Sequence, residues 1–408
     1  MSLELAAPRP TVDLPDGSAV PFANLDYAAT APALAAAADA VRDALTWYGS
    51  VHRGAGPLSR RSTLAYERAR ETVADFLGAR PDDHVIVTRN TTDAMNLLAR
   101  AVPAGTLVVT FLGEHHASLL PWPQAVRLAV PATGERAVTA LASTLAALRN
   151  NDKLRPILVA VTGASNVTGE VWPIAQLAAV AHRFDARLAV DAAQLAPHRP
   201  IDLSTLDADY VALSGHKLYA PFGAGVLAGR SDWLDAAPPY LSGGGATRSV
   251  DEHAASIDWH TGHSRHEAGT PNLLGAVALA AACTALATDG WAHLRHEREL
   301  SQRLWEGLAG IDGVVTLRSF DDPGTDRVGI ASFAVSGVDS GTVAMLLGER
   351  YGVGVRDGLF CAHPLTRRLL GAAGHDGSAV RASIGIGVES DDIDRLVAAV
   401  AEIARAAR

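Results

Sequence analysis

Ser214-Gly215-His216-Lys217 follows the apolar run Tyr210-Val211-Ala212-Leu213. A short run of that kind reads as a buried strand of a mostly parallel sheet. The lysine then lies just past a strand end, where open α/β sheets hold their ligands. It is either a solvated charge at the sheet's rim or a nucleophile beside a ligand crevice. Upstream, Arg187-Leu188-Ala189-Val190-Asp191-Ala192-Ala193-Gln194 gives a second apolar strand that ends in a carboxylate. An acid at one strand end and a lysine at the next fit a pyridoxal phosphate (PLP) site. There the lysine forms a Schiff base with the aldehyde, and the acid pairs with the protonated pyridine nitrogen to strengthen the electron sink.

Outward from these two strands the pattern alternates strand and helix, as a layered α/β domain requires. Strands are expected at 84–88, 106–111 and 157–162, and helices over 62–77, from Asn90-Thr91-Thr92-Asp93 to Ala101, and over 173–184. Polar residues between the first strand and its helix either cap the helix or seat a phosphate on its N-terminal amides; the two roles are compatible. Glu114-His115-His116-Ala117-Ser118 ends the second strand. His115 there could stack flat on a pyridine ring; the alternatives are surface polarity or a metal site, but no further ligand lies at metal-binding spacing. Asn166, in the turn Gly163–Gly169, could bond a ring hydroxyl or serve the turn itself. Gly223-Ala224-Gly225-Val226-Leu227-Ala228-Gly229 superficially suggests a dinucleotide loop. Its third glycine is one place late and the segment reads as a strand, so a nicotinamide site is rejected.

The 408 residues are enough for one large domain and a smaller one. With 48% hydrophobic and 19% charged residues the chain reads as compact and soluble, and a net charge of −9 argues against a nucleic-acid surface. Two cysteines, Cys283 and Cys361, cannot form a disulfide framework, which suggests a reducing, cytoplasmic setting. No secretory signal or membrane span is read: the longest apolar run, Leu273 to Ala287, is short of the roughly 20 residues a span needs and reads as a buried helix.

Proline-rich residues 1–23 suggest an extended arm. Residues 24–287 are read as the large domain, and 288–408 as a smaller α+β domain with strands at 314–317, 329–333, 352–356 and 380–384. Val51-His52-Arg53-Gly54-Ala55-Gly56-Pro57 gathers cationic groups in a loop, with a solvated basic turn as the bland reading. Gly243 to Asn272 contains an irregular stretch of about 20 residues, a length usually tied to function.

Taken together, Ser-Gly-His-Lys at 214–217, Val-Asp-Ala-Ala-Gln at 190–194, Glu-His-His-Ala at 114–117, Ser-Asn-Val at 165–167 and Glu-Ala-Gly-Thr-Pro-Asn at 267–272 form an ordered set. With Val-His-Arg-Gly at 51–54, Cys-Ala-His-Pro-Leu at 361–365 and Arg-Ala-Ser at 381–383, the chain resembles group II cysteine desulfurases and selenocysteine lyases, in the class V branch of fold-type I PLP enzymes. The resemblance runs from about Asn24 to the last helix. It implies a large domain built on a mostly parallel seven-stranded sheet, and a homodimer.

It also implies roles. Lys217 would be the Schiff-base lysine and proton shuttle, Asp191 the partner of the pyridine nitrogen, and His115 the stacking residue. Gln194 and Asn166 would contact the ring oxygen. Thr91, Thr92, Ser214 and His216 would hold the phosphate, with Thr270 reaching in from the partner subunit. Arg381 would grip the carboxylate of an amino-acid substrate, with Arg356 and His52 close by. Cys361 would attack the sulfur of bound cysteine, leaving a persulfide for an acceptor protein and releasing alanine. Alternative outcomes are an aminotransferase, epimerase or C–S lyase in which Cys361 is dispensable. One departure bears on this: Arg356-Asp357-Gly358-Leu359-Phe360 stands where many relatives have Arg-Thr-Gly-His-His, and Asp357 is expected to oppose thiolate formation.

Overall fold

The computed structural model describes residues 3–322 and 324–408, so the first two residues of the expected arm lie outside the described residues. The rest of the arm is not simply extended. β1 (Thr11–Asp13) and β2 (Ala19–Pro21) pair as an antiparallel hairpin, and Gly17 takes the φ of +84° that its turn needs. β3 (Ala23–Asn24) follows, then α1 (Ala35–Thr46) and α2 (Pro57–Phe76). The second helix starts five residues before the expected Ser62, because Pro57 at its first turn is preset for helix and needs no amide partner there.

The large sheet is made by β4 (Asp83–Thr88), β5 (Leu107–Phe111), β6 (Ala125–Leu128), β7 (Ile157–Thr162), β8 (Arg187–Asp191), β9 (Tyr210–Ser214) and β10 (Gly225–Arg230). Their order is β4-β10-β9-β8-β7-β5-β6, seven strands with only β10 antiparallel to its neighbours. Between them run α3 (Thr91–Ala101), α4 (His116–Leu119), α5 (Gly134–Asn151), α6 (Ile174–Arg183) and α7 (Leu203–Leu206). All six residues of β7 are buried: Val159 and Val161 enter one core cluster, Leu158 and Ala160 the other. That is the period of two expected for a strand covered by helices on both faces.

After α8 (Ser231–Ala236), the expected irregular stretch holds a small hairpin, β11 (Thr247–Val250) with β12 (Ile257–Trp259). α9 (Leu273–Thr288) is apolar all round and packs against α1 and α2. The chain then turns by 88° into α10 (His293–Ala309). The remaining elements are β13 (Val314–Leu317), β14 (Ile330–Val335), α11 (Ser340–Tyr351), β15 (Val353–Gly354), β16 (Arg356–Gly358), α12 (His363–Ala372), β17 (Ala379–Ser383) and α13 (Ser390–Ala406). A second sheet has the order β13-β14-β17-β16, while β15 pairs in parallel with β3 near the N-terminus. A bridge from Asp26 to Ser383 continues this seam. No single described helix is long and apolar enough to cross a membrane.

Candidate active site

β8 and β9 are parallel neighbours, with Asp191 opposite Ala212, so both strands point their C-terminal ends at the same edge. A cavity of about 250 Å³ opens there; among its lining residues are Lys217, Asp191, His115, Asn166, Cys361 and Arg381. Gln194, Thr91, Thr92, Ser214, His216 and Arg356 line it as well. In the sequence these groups lie in seven separate stretches.

One end of the cavity is the N-terminus of α3. The Asn90 side chain caps the helix by accepting the Asp93 N–H at 3.0 Å. Ser214 Oγ accepts the Thr91 N–H at 2.8 Å, and the Thr91 and Ser214 hydroxyls share a second bond of 2.8 Å. Capping therefore falls to Asn90, and Thr91, Thr92 and Ser214 present hydroxyls and amides at the positive end of the helix dipole, a seat suited to phosphate. Gly225 makes this possible: a Cβ there would lie 2.6 Å from Asn90 Cα.

At the centre, Lys217 is half-buried, and its amine is pushed down to about 8, mainly by desolvation, against the pull of Asp191. The Lys217 amine makes no hydrogen bond to a described residue. Asp191 accepts the Ala193 N–H at 3.0 Å, and burial raises it above the usual carboxylate range. His115 caps α4 with Nδ1, which accepts the Ala117 N–H at 3.0 Å; that bond leaves the ring proton on Nε2. Burial, with Lys217, His116 and Arg381 adding to it, pushes the imidazole down to about 3, so the ring is neutral. A neutral, half-buried imidazole suits stacking on an aromatic ring. A half-buried amine, a buried acid on the adjacent strand and a polar helix N-terminus are the donor set that PLP chemistry requires, and they fit that group.

At the opposite end Arg381 is 4% exposed, and burial lowers its pKa. Its Nη1 donates to the Asn166 carbonyl at 3.0 Å and Nη2 to Asp26 Oδ1 at 3.3 Å, while Nε has no partner. Arg356 is its register partner on β16, so two guanidinium groups converge on one wall. Strand alternation turns Asp357 to the other face, toward Gly341 on α11. Cys361 is exposed, and both it and Phe360 have φ near +50°, a left-handed backbone uncommon for side-chain-bearing residues. The turn is held from two sides: Asn166 Nδ2 donates to the Phe360 carbonyl at 2.7 Å, and the His116 N–H to the Cys361 carbonyl at 2.7 Å. Gln194, expected on a ring oxygen, donates to the Ala28 carbonyl at 2.7 Å.

His52 and Thr270 do not line this cavity. His52 pairs with Glu67 at 2.6 Å, and Thr270 lies in a separate exposed depression with Tyr66 and Asn272. Asp26, Ala28 and Phe360 are site residues that the motifs did not single out; the signal for the first two was the polar turn directly after the first buried segment. No cluster of described residues could hold a metal ion.

A lysine and an acid on adjacent strand ends, with a helix N-terminus beyond them, define a cofactor-using α/β enzyme of the aminotransferase type. The aminotransferase class-V family model matches residues 23–396, and the chain belongs to that family. Among curated relatives, a probable cysteine desulfurase of Pseudomonas aeruginosa is 38% identical, the match covering 97% of this chain and 98% of the relative. Probable cysteine desulfurase 2 of Mycobacterium leprae is 37% identical over 93% of this chain and 91% of its own length. The apo structure of a cysteine desulfurase from Thermococcus onnurineus superimposes with a TM-score of 0.83 at 29% identity, covering 97% of each chain. The S-sulfonic acid form of the cysteine desulfurase CsdA from Escherichia coli gives a TM-score of 0.79 at 32% identity, covering 94% of this chain and 95% of that one.

Proposed function

We propose that this chain is a PLP-dependent cysteine desulfurase, acting on L-cysteine or its selenium analogue, in which Cys361 takes the sulfur. One observation carries the reading: Lys217, Asp191, Arg381 and Cys361, distant in sequence, line a single cavity. When bound, PLP supplies an electron sink for the substrate's α-carbon. The protein's own groups do the rest. Asp191 would hold the ring nitrogen, His115 would cover the ring face, and Thr91, Thr92, Ser214 and His216 would hold the phosphate. Arg381 would clamp the α-carboxylate through two N–H groups, with Arg356 and Asn166 beside it.

Chemistry then turns on two side chains. Cys361, as thiolate, attacks the substrate sulfur; the new S–S bond forms as the carbon–sulfur bond breaks, and that electron pair returns to the substrate carbon. Lys217 supplies and removes protons at the carbon skeleton, a role suited to an amine poised at about 8. Alanine leaves, and the persulfide on the exposed Cys361 is open to an acceptor protein.

A homodimer fits the exposed Leu45, Trp47, Tyr48, Leu58 and Leu64 of α1 and α2 and the loop between them, an apolar group beside the His52 loop. In that assembly His52 and Thr270 would serve a neighbouring site. Two unpaired cysteines favour a reducing, cytoplasmic compartment. The test is a substrate panel on wild type and Cys361→Ala. Sulfide and alanine from L-cysteine with a thiol reductant, lost in Cys361→Ala while bound PLP remains visible, support the reading. Equal turnover by Cys361→Ala would make this a class V enzyme of another reaction.

A further inference from the structure

The connection from β5 to α4 holds a concentration of unmet polarity. Among the described residues seven buried side-chain atoms lack a hydrogen-bond partner, and four of them are here: Thr110 Oγ1, both carboxyl oxygens of Glu114, and Ser118 Oγ. Glu114 itself is 0% exposed. The Thr162 amide, which favours the charged carboxylate but makes no bond of acceptable geometry, places it at the end of β7. Thr162 is the register partner of Asp191 on β8. Glu114 thus reaches across one strand end toward the acid assigned to the pyridine nitrogen, and Asp191 is the charged group whose field acts on it.

Where two buried acids feel each other's field, the less well supported one keeps the proton. Asp191 accepts the Ala193 N–H and faces the Lys217 amine. Glu114 has only the Thr162 amide on its side, outside bonding geometry, and a fully buried carboxylate without a hydrogen-bond donor is far costlier than the neutral acid. We propose that Glu114 is a positioning residue: it stands as a neutral carboxylic acid beside Asp191 and so leaves the single negative charge of this strand edge where a pyridinium nitrogen would rest. Burial together with Asp191 raises the Glu114 pKa well above the ordinary glutamate value, in keeping with this.

The proposal rests on the PLP reading for its purpose, but its central statement is tested on apoprotein. Infrared spectra of the apoprotein at neutral pH should contain a protonated-carboxyl stretch that is lost in Glu114→Gln and retained in Asp191→Asn. Absence of that stretch, or its survival in Glu114→Gln, overturns the proposal. PLP titration gives a second reading. The isosteric, neutral Glu114→Gln should bind PLP within about threefold of wild type with the same pH profile, since no charge is removed, whereas Asp191→Asn should weaken binding by tenfold or more, as loss of a charged partner costs upward of about 1.4 kcal/mol. A pH profile displaced by about one unit in Glu114→Gln means that Glu114 was ionised, and the proposal fails. Should wild type bind no PLP, the functional reading falls while the infrared arm still decides the state of Glu114.

Discussion

The ring of Phe360 lies over the guanidinium of Arg381, with the guanidinium carbon 5.1 Å from the ring centroid. Phe360 therefore covers one face of the group assigned to the substrate carboxylate and keeps water off it. A desolvated contact of this kind is worth about 2 kcal/mol. Phe360→Ala should raise KM for L-cysteine by roughly tenfold or more with a smaller change in kcat. Steady-state alanine production measures both; an unchanged KM would mean the ring plays no part in holding the arginine.

The two cysteines should separate cleanly in reactivity. Cys283 is buried in α9, and burial pushes its thiol far up, whereas Cys361 sits exposed on its left-handed turn. Thiolates rather than thiols react with alkylating agents. Brief treatment of the folded protein with iodoacetamide should label Cys361 alone, and peptide mass spectrometry would read the ratio. Comparable labelling of Cys283 would contradict its burial.

Lys217 sets a pH dependence whose sign follows from its burial. Its amine falls from 10.5 to about 8, so the folded apoprotein binds fewer protons than the unfolded chain between those values. Its contribution to stability is therefore lost as pH falls through that window and changes no further below about 8. Capture of PLP needs the neutral amine, so its rate should climb about tenfold per unit at acidic to neutral pH and level off above about 8. Stopped-flow absorbance on apoprotein would follow it, and a plateau near 10 would show the amine to be unperturbed.

Glu267 anchors the stretch that carries Thr270. It accepts Arg70 at 2.6 and 2.9 Å, the Tyr66 hydroxyl at 2.9 Å and the Val87 N–H at 2.7 Å. Removing one partner of so buried a pair costs about 3–5 kcal/mol, because the other charge is left in place. Glu267→Ala should lower Tm by more than about 5 °C in differential scanning fluorimetry. A shift within about 1 °C would mean that Glu67, also on Arg70, is a sufficient partner.

Much of this architecture was legible because buried parallel strands are continuous apolar runs, so β5, β7, β8 and β9 announce themselves and their C-terminal residues become candidates. β6 and α5 were less legible: β6 is a four-residue edge strand carrying the exposed Arg127, and α5 buries only three residues strongly. The hairpin β1–β2 was signalled by Pro15-Asp16-Gly17, but its strands are too short to read by alternation. At the site, motif residues told which side chains matter. They did not tell what each would touch: Asp26 on Arg381 and Phe360 over it arise from contacts between segments remote in sequence, which no local pattern encodes.

The pairing of β3 with β15, and of Asp26 with Ser383, has a consequence for how the enzyme comes into being. A ribosome delivers Ala28 long before Arg381, yet both are walls of one chamber. The walls that β8 and β9 supply can form before β17 is made, while the wall that carries Arg381 closes only once β17 reaches Asp26.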